Sequence, residues 1–262
     1  MPTTHHHGHD VGERLYVHQH TPVHALPAEV KTIAMVAFVF AVVATPNRQF
    51  WAFGVYALLL AGVAVGARIP ATPIAPRMLV EVPFVLFAVL MPFLGPEPKV
   101  DFLGLSLSEA GLLAGWGILI KGTLGVVASI LLAATTPARD LLLGLERLRV
   151  PQLIVQIASF MLRYVHVVGD EMHRMALARQ SRGFEATGIR SWPVLAHSAG
   201  ALFIRAYERG ERVHLAMLSR GYTGRMPNLA RQGTTAGDWL QALLLPAAAA
   251  FVLGAALIVN GG

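Results

Sequence analysis

The feature that most limits what this chain can become is a set of apolar runs whose lengths suit a bilayer better than a protein core. Val30 to Ala44, Phe50 to Ala67, Leu79 to Leu94, Ala110 to Ala134 and Trp239 to Val259 carry almost no charge. A hydrocarbon layer of about 30 Å asks for about 20 apolar residues per helix, within a range of ~17–25. Only helices and closed barrels satisfy every backbone group in lipid, and runs of this length read as helices. The chain is 55% hydrophobic and 14% charged, against about 25% charged in an average soluble domain. The expected fold class is therefore an all-α integral membrane protein with about five transmembrane helices plus long cytoplasmic helices.

Charge placement gives the topology. Between Thr136 and Asp238 stand fourteen of the twenty-one Lys and Arg and eight of the fifteen Asp and Glu, an excess equal to the whole formal net charge of +6. Basic residues collect on the cytoplasmic side of a membrane. The loop between the second and third runs has Arg68 and Arg77 and no acid, whereas the next loop sets Glu97, Asp101 and Glu109 against Lys99. Together these predict a multi-pass protein with a cytoplasmic N-terminus and an external C-terminus. The expected organisation is a histidine-rich N-terminal tail (1–29), a four-helix transmembrane region (30–135), a cytoplasmic coupling-helix region (136–237) and a C-terminal transmembrane helix (238–262). The tail shows no apolar stretch of signal-peptide length. The positive-inside pattern accounts for the basic excess, so the lipid bilayer is an expected partner and nucleic acid is not.

Two charges sit among the apolar runs, where they are costly. Lys121, inside the fourth, is expected to pair with a carboxylate in the bundle or in a partner. Glu81, at the head of the third, is expected to be solvated at a membrane boundary.

The segment after Pro151 is helical in pattern. Gln152, Gln156, Ser159, Arg163, His166, Asp170 and His173 recur at spacings of three and four, which draws one polar stripe along an otherwise apolar helix. That proportion predicts burial in protein or lipid until the sequence turns polar near Asp170 and Glu171. A second long helix is expected from Pro193 to Arg220, its small residues Ala199, Gly200, Ala206 and Gly210 permitting a close crossing. Each helix ends the same way, in Ser181-Arg182-Gly183 followed by Phe184 and in Ser219-Arg220-Gly221 followed by Tyr222. A glycine past a helix end is an ordinary cap, and arginine favours the negative end of the helix dipole. Capping explains either copy alone but not the repetition in matching context. Arginine is a permanently charged fork of donors suited to carboxylates and carbonyls on a partner.

Three stretches together carry a family resemblance: "TTPARDLLLGLERLRVP" (Thr135 to Pro151), the helix opening "QLIVQIASFMLRYV" with "DEMHRMALARQSRGF" behind it, and "AMLSRGYTGRMP" (Ala216 to Pro227). The chain resembles the transmembrane T component of energy-coupling factor transporters, closest to the CbiQ type of cobalt importers. The resemblance implies that Ser181, Arg182, Gly183, Ser219, Arg220 and Gly221 dock two ABC-type ATPase subunits, with serine standing where the family has alanine. It implies that ATP and Mg belong to those partners, that this chain binds no cofactor and catalyses nothing, and that a separate integral-membrane S component, cobalt-specific, binds the substrate. Arg163 and Glu171 are expected to support the coupling helices. The implied location is the bacterial cytoplasmic (inner) membrane. One departure stands out: the family often reads Leu-Asp-Pro-Arg followed by Lys, where this chain has Leu26-Pro27-Ala28-Glu29-Val30-Lys31.

Other readings are weaker on the residues. No G-x-x-x-x-G-K-[ST] loop is present, so the chain is not itself an ATPase by that route. A lipid- or prenyl-processing enzyme would need clustered carboxylates to hold Mg²⁺, and no Asp-x-x-Asp occurs. A transporter acting alone would need ionisable groups at the midplane, where only Lys121 stands. The chain has no cysteine, which excludes thiolate metal sites. His5, His6, His7, His9, Asp10, His18, His20 and His24 suit late first-row metals, but a tail with adventitious affinity is the simpler expectation, and no metal ligand is assigned. Within the family, nickel or a vitamin is the alternative cargo.

Overall fold

The computed structural model describes residues 16–19, 21–70, 79–95, 99–102, 105–184, 188, 191–224 and 233–261. Among these residues the elements are helices and one two-stranded hairpin. In chain order these are α1 (Pro22–Ala25), α2 (Ala28–Ala44), α3 (Phe50–Gly66), α4 (Val82–Leu94), β1 (Lys99–Phe102), β2 (Leu105–Ser108), α5 (Glu109–Thr135), α6 (Ala138–Arg147), α7 (Gln152–Gln180), α8 (Trp192–Leu218) and α9 (Ala236–Gly261). The five apolar runs appear as α2, α3, α4, α5 and α9. The sequence reading did not anticipate the hairpin, whose antiparallel strands pair Lys99 with Ser108 and Phe102 with Leu105.

Proline and hydroxyl residues punctuate the helices where local chemistry requires. Thr45-Pro46 stops α2, since the residue before proline avoids helical geometry. Pro83 and Pro193 occupy the first turns of α4 and α8, where the missing N–H has no helical partner to lose. The Ser108 hydroxyl accepts from the Gly111 amide to cap α5. Thr235 and Asp238 cap α9 reciprocally: Thr235 donates to the Asp238 carboxylate at 2.8 Å, and the Asp238 amide donates to the Thr235 hydroxyl at 3.3 Å.

The chain divides into two compact units, one of residues 15–148 with 233–262 and one built on 149–232. The first has a core. Phe38, Tyr56, Phe53, Leu60 and Leu131 are buried together with Ala128, Ala134, Ala249, Val252 and Ala256. Tyr56 is the largest of these, and its hydroxyl is shared with Thr45 Oγ1 at 2.9 Å. Around that contact Phe38 packs edge-on, with ring centroids 5.8 Å apart.

The tightest helix pair in this unit is α4 on α5. A methyl group placed on Gly111 would collide with the Met91 carbonyl, and one on Gly115 would lie 2.5 Å from the Ala88 carbonyl oxygen. Gly111 and Gly115 form a G-x-x-x-G step inside an apolar run, the small-residue spacing that lets membrane helices touch backbone to backbone. The close crossing expected on α8 is not made there: an added methyl at Gly200 or Gly210 meets nothing within 4 Å. Spacing identifies where a crossing fits, while the partner face decides where one forms.

Both intramembrane charges find hydrogen-bond partners within the first unit, and Glu81 departs from expectation. Lys121 Nζ donates to the Val43 carbonyl at 2.9 Å, serving an orphan acceptor in the last turn of α2. Glu81 is buried, not solvated, and accepts a hydrogen bond from Thr123 on α5. A helix terminus and a neighbouring hydroxyl meet the needs for which the sequence suggested a carboxylate and water.

Among the described residues α5, α7 and α9 are long and apolar enough to cross a membrane; α3 and the stretch Leu79–Leu94 are shorter apolar helices. A 17-residue helix reaches about 25 Å, at the lower end of what a bilayer requires.

Candidate partner-docking site

The second unit consists of α7, α8 and the segments that follow each. Both helices end in the same hydrogen-bonded cap. At the end of α7, the Gly183 amide donates to the Gln180 carbonyl at 2.9 Å and the Phe184 amide to the Arg179 carbonyl at 3.1 Å. At the end of α8, the Gly221 amide donates to the Leu218 carbonyl and the Tyr222 amide to the Met217 carbonyl, each at 3.0 Å. These are the paired 5→2 and 6→1 bonds of a left-handed glycine cap. Gly183 has φ +73° and Gly221 φ +82°, a conformation that side chains with a Cβ rarely adopt. The glycine in each copy is therefore a backbone requirement.

The arginine is not. Arg182 and Arg220 hold the position before the glycine, both exposed, and neither guanidinium has a side-chain partner among the described residues. The serines differ again: Ser181 Oγ donates to the Leu177 carbonyl at 3.0 Å and Ser219 Oγ to the Ala216 carbonyl at 2.9 Å. Each hydroxyl is spent on its own helix, so toward a partner the serine is little larger than alanine. Within each Ser-Arg-Gly, then, one residue shapes the turn, one folds back, and one projects a charged fork.

Polar contacts hold this unit together. Glu171 on α7 takes Arg174 of its own helix at 2.8 Å and Arg205 of α8. Hydrogen bonds from Arg174 and then Arg205 hold the Glu171 carboxyl below its ordinary value; the residue lies in the polar half of α7, beyond the apolar first half. Arg179 Nη1 donates to Ser198 Oγ at 2.8 Å, a second tie between the two helices. The end of α8 is fastened to the start of α7: Tyr222 Oη donates to Gln156 Oε1 at 3.0 Å, and Gln156 Nε2 donates to the Gly224 carbonyl at 2.7 Å. The aromatic after the second glycine thus anchors the turn bearing Arg220. Arg163 is exposed and has no side-chain partner among the described residues.

Sequence reasoning named Ser-Arg-Gly but missed Arg205, Arg179 and Gln156. The signal for Gln156 was its place on the polar stripe; for Arg205 and Arg179 a single sequence offers none, because their partners lie on another helix. No group of three His, Asp or Glu that would hold a metal occurs among the described residues. His5, His6, His7, His9, Asp10 and His20 lie outside them.

Comparison with known proteins places this geometry in a context. The family description "CbiQ: Cobalt transport protein" matches residues 19–229. The cobalt transport protein CbiQ of Rhodobacter capsulatus is 29% identical over 229 residues, covering 87% of this chain and 77% of that one. An energy-coupling factor transporter transmembrane protein, EcfT, of Bacillus selenitireducens is 28% identical over 227 residues, 80% of this chain and 82% of its own. The EcfT of Staphylococcus aureus is 32% identical over 159 residues, 53% of this chain and 57% of that one.

Proposed function

Since the chain belongs to the CbiQ cobalt transport protein family, we propose that it is the transmembrane coupling subunit of an ATP-driven cobalt importer. Two ABC-type ATPases are gripped through Arg182 and Arg220, and a separate membrane subunit binds the ion. The observation that carries the proposal is the pair of matched caps, each presenting one exposed arginine without a side-chain partner of its own. A charge-assisted hydrogen bond contributes about 1.5–3 kcal/mol, so two arginines supply a grip of useful strength at two separate points. Duplication of the device matches duplication of the partner.

On this reading ATP and Mg are held by the ATPases. Nucleotide-driven change in the separation of those subunits moves the ends of α7 and α8, which reorients the substrate-binding subunit. A ligand biases such an equilibrium only through unequal affinity for its two states, and ATP supplies that difference at the partners. The cytoplasmic face is the side on which ATPases act, which puts 136–237 inside, the N-terminus inside, and the chain in the bacterial inner membrane. Cobalt is favoured over nickel or a vitamin by the names of the family and of the Rhodobacter capsulatus relative.

The test is purification from native membranes in mild detergent with identification of everything retained. ATP-binding-cassette subunits together with a small metal-binding membrane subunit are expected. A vitamin-binding subunit in its place would keep the mechanism and change the cargo. Recovery without any ATPase, under conditions that preserve a known complex of this kind, would overturn the reading.

A further inference from the structure

Of the two caps, the one that ends α8 is fastened a second time. Tyr222 follows Gly221, and its hydroxyl donates to Gln156 Oε1, in the second turn of α7, at 3.0 Å. The other end of the same carboxamide, Nε2, donates to the Gly224 carbonyl at 2.7 Å. A backbone carbonyl can only accept, so it fixes which end of the amide faces it and leaves Oε1 for the tyrosine proton. The Tyr222 ring lies edge-on to His214 of α8, with centroids 6.5 Å apart. Gly224 has φ +88°, beside φ +82° at Gly221, so left-handed glycines bound Tyr222 and Thr223 on both sides.

The backbone of Arg220 is therefore held from two directions. On the helix side its amide donates to the Met217 carbonyl at 3.0 Å; beyond it stand the two bonds of Gln156. At the end of α7 the first direction is matched, the Arg182 amide donating to the Arg179 carbonyl at 3.0 Å. The second is not. Phe184 occupies the place of Tyr222 and has no hydroxyl to give. Among the described residues no side chain of another element hydrogen-bonds the stretch Ser181 to Phe184. The aromatics of the two copies differ by one oxygen atom, and in the structure that oxygen is used.

We infer that Gln156 and Tyr222 are positioning residues: they pre-order the turn that presents Arg220, and so make the end of α8 the stronger of two unequal docking points. The inference rests on the docking function proposed above, and it adds that the two ATPases are not held alike. A segment that must be ordered on binding gives up conformational freedom, and one ordered beforehand gives up less. The Arg220 side chain stays exposed; what is fixed is the backbone beneath it.

The test takes the ATPase subunits recovered with the unmodified chain and titrates them back onto the full-length chain in lipid nanodiscs, one docking point at a time. In the Arg182→Ala background, where Arg220 is the remaining arginine, Tyr222→Phe and Gln156→Leu should each weaken binding roughly three- to tenfold. In the Arg220→Ala background the same two changes should leave affinity as it was. Arg182→Ala alone should also bind more tightly than Arg220→Ala alone. Tyr222→Phe deletes a single hydroxyl from a half-buried ring, so it carries the test if Gln156→Leu disturbs the fold. Equal losses in the two backgrounds would assign Gln156 and Tyr222 to the general stability of the α7–α8 pair. That result, no loss where Arg220 remains, or tighter binding by the Arg220→Ala chain overturns the inference and leaves the docking reading standing. An unmodified chain that retains no ATPase overturns the docking reading first, and this inference with it.

Discussion

The two units are made of the same kind of helix and both leave large apolar residues exposed, but among the described residues one of them encloses a core as well. In the unit of 15–148 and 233–262, Phe38, Tyr56, Phe53, Leu60 and Leu131 are wholly enclosed and share one cluster. In the unit of 149–232, Val155 is the one buried hydrophobic residue among those described, and Leu153, Ile154, Ile157, Met161, Phe203, Ile204 and Tyr207 stand open. The first unit carries its own core. The second is held by polar ties between α7 and α8, and its apolar surface is left for other molecules to cover. If the exposed face serves partners, its residues should matter for assembly and transport more than for stability.

The largest effect expected from this contrast lies at the caps. If Arg182 and Arg220 dock ATPases as proposed, replacing both by alanine should remove two charge-assisted contacts, roughly 3–6 kcal/mol in all, or at least ~100-fold in ATPase binding. Cobalt uptake should fall to background while membrane insertion and thermal stability of the isolated chain hold. Uptake at the normal rate by this double variant would sink the docking assignment. Replacing Gly183 is a different experiment, since it breaks the turn itself.

Next comes a direct comparison of the two units. Phe38→Ala empties a fully enclosed site and should destabilise the isolated chain by about 3–5 kcal/mol, read by unfolding in mixed detergent. Phe203→Ala on α8, where the residue is 71% exposed, should change stability by less than about 0.5 kcal/mol. Equal losses at the two positions would mean that α8 has a core after all.

Glycines sharpen the same point at smaller amplitude. Gly115→Leu must displace the Ala88 backbone and should cost about 1–3 kcal/mol by overpacking. Gly200→Ala meets open space and should stabilise α8 by about 0.5–1 kcal/mol, because alanine loses less backbone freedom than glycine. A loss at Gly200 in the isolated chain would show a contact the structure does not contain.

How much of this was legible in the sequence depended on whether a feature was local or needed a second element. The apolar runs, the stop at Thr45-Pro46, the helix start at Pro193, and the paired Ser-Arg-Gly were local, and propensity and capping rules reach such features directly. The G-x-x-x-G at Gly111 and Gly115 was equally local and was overlooked, while weaker small-residue spacing on α8 was read as permitting a crossing. Lys121, Glu81 and Glu29 could not be placed from sequence alone. A buried charge states a demand for a partner, but the partner proved to be a carbonyl at a helix end, a threonine and an arginine on another helix. The Leu26 to Lys31 departure is of the same kind, since Glu29 accepts from Arg147 of α6 and Lys31 donates to the Thr135 carbonyl of α5, more than a hundred residues further along the chain.

The smallest expected effect concerns the tie between α7 and α8. Glu171 accepts from Arg174 and Arg205, and these hold its carboxyl below the ordinary value of 4.5. A depressed carboxylate contributes its stabilisation fully above that ordinary value and loses it as pH falls through the lower folded one. The tie should thus be indifferent to pH near neutrality and loosen only in acid; because it is exposed, salt should weaken it as well. The chain has no cysteine, so spin labels placed through His173→Cys and Tyr207→Cys report one distance between the two helices without background. Lowering the pH from neutrality to well below the ordinary carboxylate range should broaden that distance distribution in the parent protein. Glu171→Gln should already be broad at neutral pH and respond little to acid. A parent distribution that stays narrow throughout would assign the α7–α8 contact to Arg179 and Ser198 instead, a neutral-acceptor tie that no titration can release, whereas a glutamine variant that still responds would assign the acid response to a group other than Glu171.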